Sequence, residues 1–354
     1  METKMSKFWT VRTGRTGERT DWSFANGVVG GGWEGMPDLT PISDREELRD
    51  LVTRTYGGTK NRVANVTGQL WALRSRISDG DYMVLPIRAT SQIAIGKVVG
   101  GYKYLSNEEE SRRHVIQVKW LKTDIPKSLI KQDLLYQLGS ALTVFEVGNN
   151  DAAYRLEQLL EGKSDPGVRS VMNGGVNPAE SAATSELVDQ TVSESLNLED
   201  VAQDEIARRL QEDFKGHELS ELVEALLTAE GFKCRNSPPG ADGGVDVLAG
   251  KGPLGMDSPK LVVQVKSQTS AVSDQVLQQL NGAIHRFQAD QALLVTFGGV
   301  TAPARTYLQT QYFNIQVWTM EDILNSIYRN YSVLPNEMKA RLPLKQIWVP
   351  ITAE

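Results

Sequence analysis

Residues 261–266, LVVQVK, constrain this chain more than any other stretch. Their β-branched character reads as a strand, and successive strand side chains point to opposite faces. Gln264 and Lys266 then share one face, while Val263 and Val265 share the other. An amine set among apolar strand residues is costly unless an anion faces it. The stretch upstream, ADGGVDVLAG, offers one: Asp246 follows the turn Asp242-Gly243-Gly244 and opens an apolar strand. If the two strands pair, an acid, an amide oxygen and an amine converge at one end of a sheet.

Phosphodiester hydrolysis needs a group of this kind. A hard divalent cation such as Mg2+ or Mn2+ takes oxygen ligands from carboxylates, side-chain amides and carbonyls. The cation polarises the phosphate and acidifies its bound water, and a nearby lysine orients that water and offsets developing charge. Asp246 and Gln264 are the candidate metal ligands and Lys266 the candidate catalytic amine. Asp242 is a further possible ligand, although a turn-forming role before two glycines suits it better.

The surrounding pattern supports a layered fold. GHELSELVEALLTAEGF is an amphipathic helix with Leu219, Leu222, Val223, Leu226 and Leu227 on its core stripe. Strands are expected at 245–249, 261–266, 292–296 and 315–318. Helices are expected at 272–287, 302–311 and 320–328. This order predicts an α/β sandwich around a mixed sheet. The polar residues Gln275, Gln278 and Gln279 face DNA backbone or simply solvent, Cys234 reads as a small buried residue, and the stretch LPNEMKARLPLKQIWVP as a clamp.

With these residues in place, the segment from Gly216 to about Leu324 resembles the Mrr-type restriction endonucleases, a branch of the PD-(D/E)xK nuclease superfamily. The matching pieces are GHELSELVEALLTAEGF, DGGVDV, VVQVKS, VLQQLNGAI and ALLVTFGG. Gln-Val-Lys in place of acid-x-Lys is characteristic of that branch. The resemblance implies a restriction-endonuclease-like α/β sandwich, Asp246 as metal carboxylate, Gln264 at the second ligand position and Lys266 as catalytic lysine. It also implies double-stranded DNA as substrate and a homodimer in which each centre cuts one strand. One departure matters. The family's first helix carries Gly-x-x-Phe-Glu, whose Glu completes the metal site, and the pair here is Leu219-Ser220. Glu224 and His217 share the face of Ser220, and Glu221 is rotated by about 100°. Glu224 stands ahead of Glu221 and His217 as the substitute.

The N-terminal block carries five of the seven tryptophans, Trp9, Trp22, Trp33, Trp71 and Trp120. Strands are expected at 82–87, 92–100 and 114–120, with helices in SDREELRDLVTRTY, capped by Ser43, and in VANVTGQLWALRSRI. This mixture predicts an α+β domain built on a small closed or half-closed β-barrel. SDGDYMVLPIRATSQIAIGKVVGGYKY resembles the PUA-like/EVE group, which binds RNA or extrudes a modified base into an aromatic pocket. Trp22, Trp33 and Trp71, surrounded by polar residues, are the pocket candidates. Arg12, Arg15 and Arg19 are candidates for phosphate contact or a solvated end.

Net charge is −6, but it is unevenly placed. Residues 164–213 hold three Lys/Arg against eleven Asp/Glu, a net −8, while the blocks before and after are +3 and −1. Residues 164–196 lack aromatics and read as an acidic flexible linker between domains at 1–163 and 197–354. The helix following it is capped by Asn197 or Asp200. One cysteine excludes an internal disulfide framework and a cysteine-based zinc site, and three histidines leave little material for a histidine metal cluster. No apolar run is long enough to span a bilayer, and the polar N-terminus lacks a signal-peptide core. A cytoplasmic protein, on the nucleoid when DNA-bound and away from membranes, is expected. A base reader joined to a cutter implies modification-dependent restriction. Two other readings are a defence nuclease switched on by a small nucleotide in the N-terminal domain, and a catalytically silent DNA-binding protein.

Overall fold

The computed structural model describes residues 6–140, 142–169, 197–237 and 244–348, and among these two sheets form. In the first region β1 (Phe8–Val11), α1 (Thr20–Asn26) and β2 (Val28–Gly30) precede α2 (Arg45–Tyr56) and α3 (Lys60–Trp71). One π-helical turn, Ala72–Arg76, extends α3. The antiparallel strands β3 (Tyr82–Ile87), β4 (Gln92–Tyr104) and β5 (His114–Pro126) follow, then α4 (Gln132–Leu138), β6 (Val144–Glu146) and α5 (Ala152–Leu160).

The sheet order is β2-β5-β4-β3-β1-β6, and the expected barrel does not close among the described residues. Closure needs edge strands long enough to tilt and stagger against one another. Here β2 and β6 have three residues each, and α3 covers the side of β6. Gln69 Oε1 accepts the amides of Thr143 at 2.7 Å and Val144 at 3.1 Å, where another strand would have bonded. The α2 cap also differs from expectation. Asp44, in extended conformation, accepts Glu47 N at 2.9 Å, while Glu47 reaches back to the Ser43 amide at 3.1 Å.

The second region runs α6 (Leu198–Asp213), α7 (His217–Ala229), β7 (Lys233–Asn236), β8 (Val247–Lys251), β9 (Asp257–Lys266) and α8 (Asp274–Phe287). It continues through β10 (Gln291–Thr296), α9 (Ala302–Thr310), β11 (Ile315–Trp318), α10 (Met320–Asn330) and α11 (Asn336–Arg341). Its sheet, β11-β10-β9-β8-β7, is antiparallel from β7 to β9 and parallel from β9 to β11. The predicted sandwich is present. Val247, Val263 and Val265 pack under α6, α7 and α10, whereas Val262 and Leu294 pack under α8. The whole α7 stripe is buried, each side chain contributing about 1.5–3 kcal/mol. Leu334, Met338 and Leu342 join the same core, so the C-terminal stretch does clamp it. No helix among the described residues is long and apolar enough to cross a membrane.

Asn197 caps α6, accepting the amides of Glu199 and Asp200. This helix touches both regions. Asp200 pairs with Arg12 and Arg88 and Asp204 with Lys127, while Ala207 and Leu210 enter the C-terminal core. The segment assigned to the linker begins on packed residues. Asp165 is buried and accepts from Arg155, Lys131 N and Gly167 N, and the remainder, 170–196, lies outside the described residues.

Candidate active site

β7, β9, β10 and β11 end, and β8 begins, at one edge of the second sheet. Pairing of β8 with β9 starts at Val247 opposite Val263, one residue after Asp246. Asp246 still donates its amide to Val263 O at 2.8 Å, but its carboxylate substitutes for the next ladder bond. Oδ2 accepts Val265 N at 2.7 Å, so the carboxylate lies against the peptide joining Gln264 to Val265. Strand alternation puts Gln264 and Lys266 on the side of Val262, facing α8. Gln264 is 4% exposed, and its Oε1 has no hydrogen-bond partner among the described residues. Gly244 is required twice: its φ is +82°, and a Cβ there would lie 2.8 Å from Gln264 Nε2. Thr296 lies beside Lys266 on the parallel strand, fully buried, with Oγ1 unpartnered among the described residues.

The first turn of α7 reaches this edge through Gly216 N, which donates to Ser267 Oγ at 3.1 Å. Ser220 is buried in that turn. Of the three expected substitutes for a helix glutamate, Glu224 accepts Asn236 Nδ2 at 2.5 Å. Asn236 ends β7 opposite Val247, and Ser237 N donates to Asp246 O, so Glu224 is tied to the strand segment carrying Asp246. Glu221 and His217 face elsewhere: Glu221 accepts from Arg341 at 2.8 Å and lies 3.6 Å from His217. Asp242 falls outside the described residues. Cys234 on β7 is half-buried, which pushes its thiol pKa up. Gln275, Gln278 and Gln279 are exposed on α8, with Gln278 bonded to Asp274.

No three His, Cys, Asp or Glu side chains cluster around a metal position among the described residues. The oxygen ligands at the strand edge are instead a carboxylate and an amide oxygen that has no hydrogen-bond donor among the described residues. Both are hard oxygen ligands, and a buried acceptor without a donor is costly unless a cation or donor meets it. The residue types therefore fit a hard divalent cation, with few carboxylates to bind it tightly.

The tryptophan candidates separate. Trp33 borders a cavity of about 150 Å³ shared with Met36, Pro37, Tyr104, Glu110 and Arg113. Trp22 lies under the Arg112 guanidinium, 5.5 Å from ring centroid to Cζ, and Trp71 packs among the side chains of α2 and α3. Trp33 adopts φ +55°, a costly backbone for a bulky residue. His114 braces the wall from behind: Nδ1 meets Tyr102 Oη at 2.9 Å, Nε2 meets Met36 O at 3.2 Å, and Trp33 and Tyr104 contact its ring. Burial holds its imidazole pKa below the ordinary value. Arg12 and Arg19 are largely buried in ion pairs with Asp200 and Glu18, and only Arg15 forms a solvated end.

Sequence reasoning missed Asn236, Thr296, Tyr104, Glu110, Arg113 and His114. The one available signal was the polar cluster NEEESRRH beside GGYKY.

Residues 211–327 match the family model described as a restriction endonuclease, Mrr_cat. Residues 9–146 match a domain of unknown function, DUF8426. No curated protein matches the chain. Among solved structures, the crystal structure of AF1548, a protein of unknown function, is 15% identical at a TM-score of 0.25, over 30% of this chain and 64% of that one. The chain thus spans less than two thirds of that relative's length. MspJI restriction endonuclease, in complex with a 27-mer oligonucleotide, is 14% identical at a TM-score of 0.32, over 95% of this chain and 79% of that one. The DNA modification-dependent restriction endonuclease AspBHI is 16% identical at a TM-score of 0.30, over 89% of this chain and 78% of that one. The segment similar to the restriction endonuclease model, residues 211–327, contains Asp246, Gln264 and Lys266.

Proposed function

We propose that the chain is a divalent-cation-dependent DNA endonuclease whose N-terminal region reads a modified or flipped base. The observation that carries this reading is the Asp246 carboxylate seated on the Gln264–Val265 peptide, with Gln264 Oε1 unpartnered among the described residues and Lys266 on the same strand face as Gln264. Asp246 and Gln264 would hold Mg2+ or Mn2+, with Glu224 as the supporting carboxylate. A cation held there would supply polarisation of the scissile phosphate and a lowered pKa for the attacking water. Lys266 directs its ammonium toward the phosphate, orients the attacking water and offsets the charge that builds on the phosphate oxygens.

The cavity bordered by Trp33 and Tyr104 supports the base-reading part. Two aromatic walls stack a planar ring, and the Glu110 and Arg113 side chains offer an acceptor and donors to its edge. The protein then serves modification-dependent restriction in the cytoplasm, as a homodimer with one centre for each strand. The test is cleavage of modified and unmodified duplexes of one sequence by the full chain, with Mg2+, Mn2+ or EDTA. Metal-dependent cutting that favours the modified duplex is expected. Binding without cutting at any metal concentration would sink the nuclease reading. Cutting that starts only after a mononucleotide is added would replace base reading by ligand gating.

A further inference from the structure

The turn joining β3 to β4 in the N-terminal region reaches the loop that follows Lys266. Gln92, 4% exposed, donates from Nε2 to Thr269 O at 2.7 Å. Its Oε1 accepts Thr90 Oγ1 at 2.6 Å, which fixes the amide orientation. Ser91 holds φ +53°, with its amide on Arg88 O at 3.2 Å and its carbonyl accepting Lys127 N at 3.0 Å. A non-glycine residue keeps that conformation only where its surroundings over-determine it. Ala89 O accepts Glu321 N at 3.3 Å, anchoring the turn to the start of α10.

The loop is held from its other side by residues following β10. A Cβ on Gly298 would lie 2.3 Å from Ser270 O, and Val272 N donates to Gly299 O at 2.9 Å. Thr90 closes the sandwich, its methyl 2.8 Å from where a Gly299 Cβ would be. Lys266 is three residues before Thr269, and its own carbonyl accepts Phe297 N at 3.4 Å. Residues 267–270 are therefore clamped between the C-terminal end of β10 and a buried amide supplied by the other region of the chain.

We propose that Gln92 is a positioning residue for catalysis: by bonding Thr269 it fixes the loop that aims Lys266, so the N-terminal region completes the cutting centre as well as selecting DNA. The inference rests on the nuclease reading. A displacement of about 1 Å at a reacting group can cost on the order of 100-fold in rate, so one clamp bond distant from the chemistry is enough to matter.

The experiment uses the full chain and three variants. Gln92→Glu keeps the shape and the Thr90 bond but sets a carboxylate against the Thr269 carbonyl. Gln92→Met removes both bonds without adding charge, and Thr90→Val removes only the buttress. Single-turnover cleavage, DNA affinity, melting temperature and hydrogen exchange of the 267–272 amides are measured. Both Gln92 variants should cut about 10- to 100-fold more slowly with parental DNA affinity and should exchange faster at 267–272, while Gln92→Met melts only slightly lower and Gln92→Glu, with a carboxylate buried against a carbonyl, melts lower still. Thr90→Val should show the same pattern at a few-fold. Parental cleavage and exchange in Gln92→Met overturn the proposal. So does a rate loss in Gln92→Met that is fully accounted for by a loss of folded protein at the assay temperature or of DNA affinity. If the parental chain cuts nothing with either cation, the nuclease reading fails first and the positioning role with it. Faster exchange at 267–272 would then mark the clamp as structural only.

Discussion

The strand edge around Asp246 and the cavity around Trp33 are built by opposite means. At the strand edge, β-register brings three polar groups within 21 residues together, and Gln264 Oε1 and Thr296 Oγ1 have no hydrogen-bond partner among the described residues. At the cavity, Trp33, Tyr104 and Arg113 come from segments up to 80 positions apart, and the histidine behind them has both ring nitrogens engaged. On the proposed function, the first arrangement leaves polar demand that a cation and a phosphate would meet. The second satisfies the histidine behind its wall internally and presents ring faces with Glu110 and Arg113 at their edge. In the proposed function the one serves chemistry on a charged backbone, the other the holding of a planar ring with a polar edge.

The sharpest way to break this comparison is at the strand edge. Asp246→Ala and Lys266→Ala should each lower single-turnover cleavage by about 1000-fold, as expected when a group aimed at developing charge is lost. Affinity for modified duplex and melting temperature should stay close to parental. Cleavage retained by either folded variant would remove that residue from the centre.

At the cavity the effect should be smaller and of a different kind. Stacking of a base on an aromatic side chain is worth about 1–3 kcal/mol, so Trp33→Ala should weaken binding of modified duplex about 5- to 150-fold. Binding of unmodified duplex should barely change, as read by fluorescence anisotropy at fixed salt. Equal losses for both duplexes would make Trp33 a structural wall. Trp71→Ala, outside the cavity, is the control for general damage.

The Glu224 assignment is tested by metal titration. Glu224→Gln should raise the Mg2+ concentration needed for half-maximal cleavage about tenfold, and Ser220→Glu should lower it. A parental titration for Glu224→Gln would reduce Glu224 to a partner of Asn236.

The smallest effect concerns His114. Its folded-state pKa is depressed by burial, against the opposing influence of the Met36 carbonyl, so the native ring is neutral. The unfolded chain binds a proton below about pH 6.5. Stability from this group is therefore complete above that pH and falls as pH drops through the window beneath it, by at most about 1.4 kcal/mol per unit. His114→Gln should flatten the slope of the denaturation midpoint between pH 7 and 5. An unchanged slope would mean that the ring takes up protons equally in the folded and unfolded chain, so that burial does not depress its pKa.

Much of the C-terminal region was legible because its signals are local. The Leu219–Leu227 stripe, the alternation in VVQVK and the turn before Asp246 each act within one helix or one strand pair. β7 was not legible: KCRN is a short, polar edge strand without an apolar alternation to announce it. In the N-terminal region the strands β3, β4 and β5 were readable, but whether their sheet closes was not. Alternation says which residues face a core, and closure depends on what covers the sheet edges, here Gln69 of α3.

The sequence by itself determined the restriction-endonuclease motif, the helix and strand order around it and the absence of a glutamate at Ser220. Periodicity and turn chemistry operate over a few residues, and these features need no more. Only the tertiary structure decided that Glu224 rather than Glu221 is tied to the Asp246 segment. It also set Trp33 against Tyr104 and Arg113, and let Gln92 clamp the loop after Lys266. Those contacts join residues separated by up to 177 positions, and their partners are chosen by packing of finished elements. No local propensity encodes such a pairing.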